Sequence, residues 1–213
     1  MKNKGFFISL EGGEGCGKST QLGRIAEKLQ TLYPGREIII TRSPGGTAVA
    51  ERIRNILKEK EDGEEITPET ELLLFGACHA QMVRTLIRPA MERGAILLTD
   101  RFIDSTIVYQ GFARGLDRKM IDHINTFACG STLPHLTLLL DLSPEDGAKR
   151  TNARADVSRD RFDSESRTFH EAIRNGFLTL AKDAPERFAV INAAQEMDAV
   201  TADIMEVLRD RMA

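Results

Sequence analysis

Gly12-Gly13-Glu14-Gly15-Cys16-Gly17-Lys18-Ser19 is a complete GxxxxGKS loop, set between the apolar run Phe6-Phe7-Ile8-Ser9-Leu10 and a helical pattern that begins near Lys18. A strand before and a helix after are the context in which this spacing cradles phosphate. Glycines let the backbone wrap closely round the phosphates, the amide N–H groups turn inward, and the N-terminus of the following helix adds a favourable dipole. The loop predicts a bound nucleoside triphosphate held by Gly12, Gly13, Glu14, Gly15, Cys16, Gly17, Lys18, Ser19 and Thr20. Lys18 is placed to reach the β and γ phosphates, and the Ser19 hydroxyl to ligand Mg²⁺.

Outward from the loop, short β-rich runs recur at Phe6 to Leu10, Glu37 to Thr41, Ala95 to Thr99, Leu136 to Asp141 and Phe188 to Ile191. Helical patterns fall between them, at about 18–32, 47–59, 68–92, 103–113, 117–129, 144–152, 162–183 and 196–212. This alternation predicts an α/β fold, a five-stranded parallel sheet flanked by helices on both faces. The 213 residues suit one domain over 1–213 with a small mobile insertion.

The formal net charge of -3 carries no polyanion signature, so nucleic acid is not expected as a partner and anion binding must be local. Cys16, Cys78 and Cys129 are widely spaced and form no CxxC pair, which fits a reducing cytosol and no structural zinc site. Apolar runs are strand-length and far short of the roughly 20 residues of a membrane span, so a soluble, cytoplasmic protein is expected.

One segment departs from the strand–helix alternation. Arg150 to Arg161 carries Arg150, Arg154, Arg159 and Arg161 with few large apolar side chains. By itself it reads as a solvated charged loop; beside a phosphate loop it reads as a lid, at about 150–162, that excludes water and stabilises charge on a transferred group. Two further arginines lie at strand ends, Arg42 in Thr41-Arg42-Ser43-Pro44-Gly45-Gly46-Thr47 and Arg101 in Thr99-Asp100-Arg101-Phe102. The carboxyl ends of neighbouring strands share the ligand crevice, so the two should converge near the loop and suit a second phosphorylated ligand.

Taken together, the loop with Glu14, the Arg-Ser-Pro-Gly-Gly segment, Asp100-Arg101-Phe102-Ile103-Asp104-Ser105 with Tyr109-Gln110-Gly111, and the arginine-rich lid resemble bacterial thymidylate kinases from about residue 5 to 210. The resemblance implies a nucleoside monophosphate kinase-like fold and transfer of the γ-phosphoryl group of ATP to dTMP, with Mg²⁺ and a homodimeric assembly through helices including the one around Pro68 to Arg88. It implies that Glu14 contacts the dTMP sugar and orders the acceptor side, and that Arg42 and Arg101 grip the dTMP phosphate. Asp100 would either hold Mg²⁺ through water or orient Arg101. Phe75 matches the aromatic that stacks on thymine, Thr106 the contact to the base edge, and Tyr109 the residue that crowds the 2′ position. Ser105 and Gln110 line the same segment, with a turn-stabilising role an equal alternative. Because Gly15 follows Glu14, the loop lacks an arginine of its own, and the family type then takes its catalytic arginine from the lid: Arg154 for the transition state, Arg161 within Asp160-Arg161, and Arg159 as a further candidate.

The sequence departs from the family at three places. Ser43 replaces the usual acidic residue after Arg42, so an orienting carboxylate is missing there, while Ser43-Pro44 keeps the dipeptide for which the resemblance suggests a cis bond. Cys78-His79 stands where Asp-Arg is common; His79, charged only part of the time near neutral pH, would donate to thymine O4, act through water, or pack on the helix. Asn192 replaces an aspartate near the adenine site. Competing readings are a kinase for another monophosphate, a nucleotide switch and a catalytically silent binding protein. A GTPase switch is disfavoured because the chain has no NKxD motif.

Overall fold

The computed structural model describes residues 4–59, 63–153 and 165–212. The lid arginines Arg154, Arg159 and Arg161 therefore lie outside the described residues. Five strands, β1 (Phe6–Glu11), β2 (Ile38–Arg42), β3 (Ile96–Asp100), β4 (Leu136–Asp141) and β5 (Phe188–Asn192), form one sheet in the order β2-β3-β1-β4-β5. Every pairing is parallel, as predicted.

Side-chain alternation explains why the sheet is covered on both faces. Ile8 and Leu10 of β1 and Ile96 and Leu98 of β3 pack with Ile25 and Leu29 of helix α1 (Lys18–Leu32) and Ile204 and Leu208 of α9 (Met197–Arg211). Phe7 and Leu97 face the other way, onto Met82, Val83, Ile87 and Phe102. On that same side of the molecule, Leu139 of β4 packs on Ile173 and Phe177 of α8 (Arg167–Asp183).

The remaining helices are α2 (Ala48–Lys58), α3 (Pro68–Met82), α4 (Arg88–Arg93), α5 (Ile103–Thr106), α6 (Arg118–Cys129) and α7 (Pro144–Asn152). The predicted helix over 68–92 is thus not continuous: a π-helical turn, Val83–Ile87, joins α3 to α4. Pro89 near the start of α4 has no N–H to give to the preceding turn, and widening that turn accommodates the loss. A second π-helical turn, Ile107–Ala113, follows α5 and carries Tyr109 and Gln110. Arg150 is not part of a loop but belongs to the last turn of α7, where its Nη1 donates to the Ala193 carbonyl at 2.9 Å.

Parallel register brings the site together. Leu10 and Arg42 are both aligned with Asp100, so Glu11, Ser43 and Arg101 follow at one level along the carboxyl edge of three adjacent strands. The phosphate loop is pressed against α7: a Cβ on Gly15, which has φ +70°, would stand 2.4 Å from the Gly147 carbonyl oxygen. Only glycine meets both the left-handed backbone and that close approach.

Candidate active site

Helix α1 starts at Lys18 behind Gly17, with no side-chain cap and no acidic residue in its first turn, so its leading N–H groups are left for an anion. Lys18 is buried, and its Nζ donates to the carbonyls of Gly12 and Gly13 at 3.1 and 2.8 Å and lies 3.4 Å from the buried Cys16 thiol. The ammonium is thereby drawn over the loop. The Ser19 hydroxyl donates to Asp100 Oδ2 at 3.1 Å, joining the loop to the end of β3.

A cavity of about 260 Å³ opens beside the loop. Its walls include Glu14, Gly15, Gly17, Lys18, Ser19 and Thr20 from the loop side, Arg42 and Arg101 from the sheet edge, Phe75 and His79 from α3, and Ser105, Tyr109 and Gln110 from α5 and the π-helical turn after it. Gly12, Gly13, Cys16 and Thr106 do not line it; Gly13 and Glu14 instead border a second hollow toward α7 and α8.

Arg101 is the only non-glycine residue among those described with a left-handed backbone, φ +66°. That turn aims its guanidinium back at the loop: Nη2 donates to Glu14 Oε1 at 3.0 Å, Nη1 to Ser105 Oγ at 3.2 Å, and Cζ lies 5.0 Å from the centre of the Tyr109 ring. The Tyr109 hydroxyl donates to the same Glu14 oxygen at 3.3 Å. Glu14, Arg101 and Tyr109 thus form one unit between the two halves of the cavity.

Glu11 lies beneath this unit and escapes sequence reasoning, because a carboxylate after a strand ordinarily reads as exposed. It is fully buried, accepting from the Phe102 N–H at 2.8 Å and the Ser105 hydroxyl at 2.6 Å, so it pins the turn that presents Arg101. Ser105 accordingly serves Glu11 and Arg101 as a positioning hydroxyl. Burial, with the charge of Asp104 adding to it, pushes the Glu11 carboxyl up to about 8. In the native state the carboxyl therefore keeps its proton to higher pH than in the unfolded chain, and stability falls as pH rises from the ordinary carboxylate range toward 8. Glu11→Gln preserves an acceptor for Phe102 and cannot titrate. Its melting temperature is expected to fall less between pH 6 and 8.5 than that of the unsubstituted protein; parallel curves in differential scanning fluorimetry would contradict this.

The carboxylate missing after Arg42 is supplied from α2. Glu51 Oε2 accepts from Arg42 Nη2 at 2.9 Å and Oε1 from the Gly46 N–H at 2.7 Å. The Arg42 hydrogen bond holds the Glu51 carboxyl below its usual range. Arg54, a third cavity arginine that the sequence reading missed, donates to the Pro44 carbonyl at 2.7 Å, and the Ser43–Pro44 bond is cis. The Glu51/Arg54 spacing at the start of α2 was the signal available for both.

His79 departs from expectation. It is wholly buried, 5.0 Å from the Phe102 ring, and burial lowers its pKa to about 4, so the imidazole is neutral near pH 7 and not partly charged. Neither ring nitrogen has a hydrogen-bond partner, and the hydroxyl of Thr106 and amide oxygen of Gln110 are likewise buried and unpartnered. Buried polar atoms of this kind cost about 1–3 kcal/mol each when unpaired. Phe75 reaches the cavity while Leu72 enters the core and Leu73 is 61% exposed, which separates the aromatic from the leucines beside it. Cys78 packs into the core, its thiol near the Ala50 carbonyl, and burial pushes it up to about 11. Asn192 accepts from the Ala194 N–H at 3.0 Å, shaping the turn after β5.

A phosphate loop and a second, arginine-flanked pocket on one cavity are the architecture of a two-substrate phosphotransferase, and comparison with known proteins gives the same answer. The family model described as thymidylate kinase matches residues 10–204. The thymidylate kinase of Syntrophotalea carbinolica is 46% identical, over 92% of this chain and 91% of its own length. That of Geobacter sulfurreducens is 45% identical over 98% of both. The crystal structure of thymidylate kinase from Ehrlichia chaffeensis superposes with a TM-score of 0.77 at 31% identity, covering 96% of this chain and 99% of the other. Sheet order, site and relatives agree, and the chain belongs to the thymidylate kinase family.

Proposed function

We propose that the protein is a dTMP kinase that transfers the γ-phosphoryl group of ATP to dTMP, giving dTDP and ADP for dTTP synthesis. The observation that supports this most is the single cavity bounded on one side by Lys18, Ser19 and Thr20 and on the other by Arg42, Arg101 and Phe75. The first wall suits a triphosphate, the second a nucleoside monophosphate.

Phosphoryl transfer asks for in-line positioning and cancellation of charge, with no nucleophilic side chain. The loop amides and Lys18 hold the donor phosphates. Arg101, oriented by Glu14, Ser105 and Tyr109, and Arg42, oriented by Glu51, hold the acceptor phosphate. A planar fork suits that task better than a lysine point charge. Phe75 stacks on the base, His79 and Gln110 present polar atoms to its edge, and Tyr109 crowds the 2′ position. The Ser19 hydroxyl and Asp100 carboxylate lie side by side as hard oxygen donors, and among the described residues no cluster of three or more acidic, His or Cys side chains forms a closed metal cage. That pair fits Mg²⁺, which keeps waters and substrate phosphates as its other ligands. When bound, the ion neutralises charge on the phosphates. The transition-state arginine falls to the lid, with Arg154 ahead of Arg161 and Arg159.

A homodimer in the cytoplasm completes the proposal. Leu73 on α3 and Met120 and Phe127 on α6 are 61%, 54% and 82% exposed, and α3 packs on α6, so these side chains supply apolar surface for a second copy. Among the described residues no helix is long and apolar enough to cross a membrane.

Incubation of the full chain with ATP, Mg²⁺ and each common nucleoside monophosphate is expected to yield dTDP fastest from dTMP, read by chromatography, with sedimentation velocity reporting a dimer. Equal or faster turnover of a purine monophosphate would overturn the assignment. Binding of ATP and dTMP without product would mark a silent relative.

A further inference from the structure

Gln110 lines the cavity from the π-helical turn Ile107–Ala113, and its side chain is fully buried. Its amide nitrogen donates to Glu71 Oε1 at 2.7 Å, while its amide oxygen is buried with no partner. Glu71, on α3 and 1% exposed, also faces Arg114, whose Nε stands 3.5 Å from that same oxygen and whose Nη1 pairs with Glu165 at 2.6 Å. A carboxylate beside a guanidinium accepts hydrogen bonds and donates none. It therefore decides which end of the Gln110 amide faces it, a choice that is otherwise free. The nitrogen is bound to Glu71, and the oxygen is left for whatever enters the cavity.

Another unpartnered polar side chain lining the cavity, His79, imposes no such choice. A neutral imidazole carries one donor and one acceptor nitrogen, and tautomer exchange swaps them. It can face a 4-oxo group or a 4-amino group.

We propose that Glu71 is the positioning residue for base selection. By fixing the Gln110 amide it presents an acceptor oxygen to N3 of the pyrimidine, which admits 4-oxopyrimidines, whose N3 carries hydrogen, and rejects 4-aminopyrimidines, whose N3 is itself an acceptor. Selection at this edge then belongs to a buried carboxylate that does not touch the base. The inference rests on reading this cavity as the dTMP pocket.

The test compares kcat/KM for dTMP and 5-methyl-dCMP, which differ only at N3 and position 4, in the full chain with ATP and Mg²⁺. A pocket built to pair with a ligand N–H rejects the analogue lacking it by about 10⁴-fold, and that preference is expected here. In Glu71→Gln the residue can offer either end of its own amide, so Gln110 is free to turn. The preference should fall roughly 10- to 100-fold, chiefly through a gain in kcat/KM for 5-methyl-dCMP, on the scale of a lost polar discrimination. A merely structural role would lower both substrates and leave the ratio unchanged, and that result overturns the proposal.

Gln110→Leu separates the two levels. If it collapses the preference and Glu71→Gln does not, Glu71 has no positioning role while the pocket reading stands. If neither variant moves it, or the unsubstituted protein makes no dTDP, the pocket reading falls and the proposal with it. Should Glu71→Gln lose its circular dichroism signature of folding, Arg114→Gln is read by the same ratio. Without the guanidinium, the Glu71 carboxylate loses the partner that holds it beside Gln110, so the ratio should fall at least about fivefold, the scale of one hydrogen bond; an unchanged ratio overturns the proposal.

Discussion

Lys18→Ala is expected to lower kcat by about 10²–10³, the usual cost of removing one preorganised charge from developing phosphate negativity, while changing the dissociation constant for dTMP little. The ammonium reaches across the loop to the Gly12 and Gly13 carbonyls and contacts no residue on the Arg101 side of the cavity. Alanine at the head of α1 keeps the helix and leaves the loop backbone without its cation. Affinity for ATP should weaken as well, because the lysine contacts phosphate in the ground state too. Steady-state kinetics with ATP varied, alongside calorimetric titration of dTMP, checks both parts. A variant within threefold of normal kcat would remove Lys18 from the donor site.

Much of this arrangement was legible in the residues, for identifiable reasons. The phosphate loop is a local motif whose flanking strand and helix are also local, and the five apolar runs are short enough to be read as strands of a covered sheet. The parallel register then follows, and it places Arg42, Asp100 and Arg101 where strand-end arguments put them. What escaped reading depends on contacts distant in the chain. Glu11 is buried because Phe102 and Ser105, more than 90 residues away in sequence, supply its hydrogen bonds. At Ser43 the adjacent position carries no carboxylate, and adjacency in sequence does not reveal Glu51, which reaches Arg42 from the next helix.

His79 shows the same limit in its chemistry. Residue type sets a titration range near neutrality, but enclosure beside Phe102 moves the imidazole out of that range and makes it a neutral donor and acceptor. Glu71 and Arg114 carry no sequence signal: one is an ordinary helix residue and the other an ordinary turn residue until folding brings both to Gln110. The π-helical turn at Val83–Ile87 could have been suspected from Pro89, since a proline inside a long helical pattern requires some local remedy.

Arg101→Ala is expected to reduce kcat/KM for dTMP by about 10³, within the 2–5 kcal/mol range for truncating one member of a desolvated charge pair, while affinity for ATP changes less than threefold. The backbone does not confound the comparison. Arginine already holds φ +66°, and alanine bears the same Cβ and the same left-handed strain, so the loss reports the side chain. Arg101→Lys should recover little of the activity. The guanidinium donates simultaneously to Glu14 and Ser105 and lies over the Tyr109 ring, and an ammonium cannot fill all three roles while facing a phosphate. The contrast with Lys18→Ala is the decisive measurement: one variant should be deficient in using dTMP, the other in using ATP. Comparable losses toward both substrates in both variants would mean that the cavity is not divided into donor and acceptor halves.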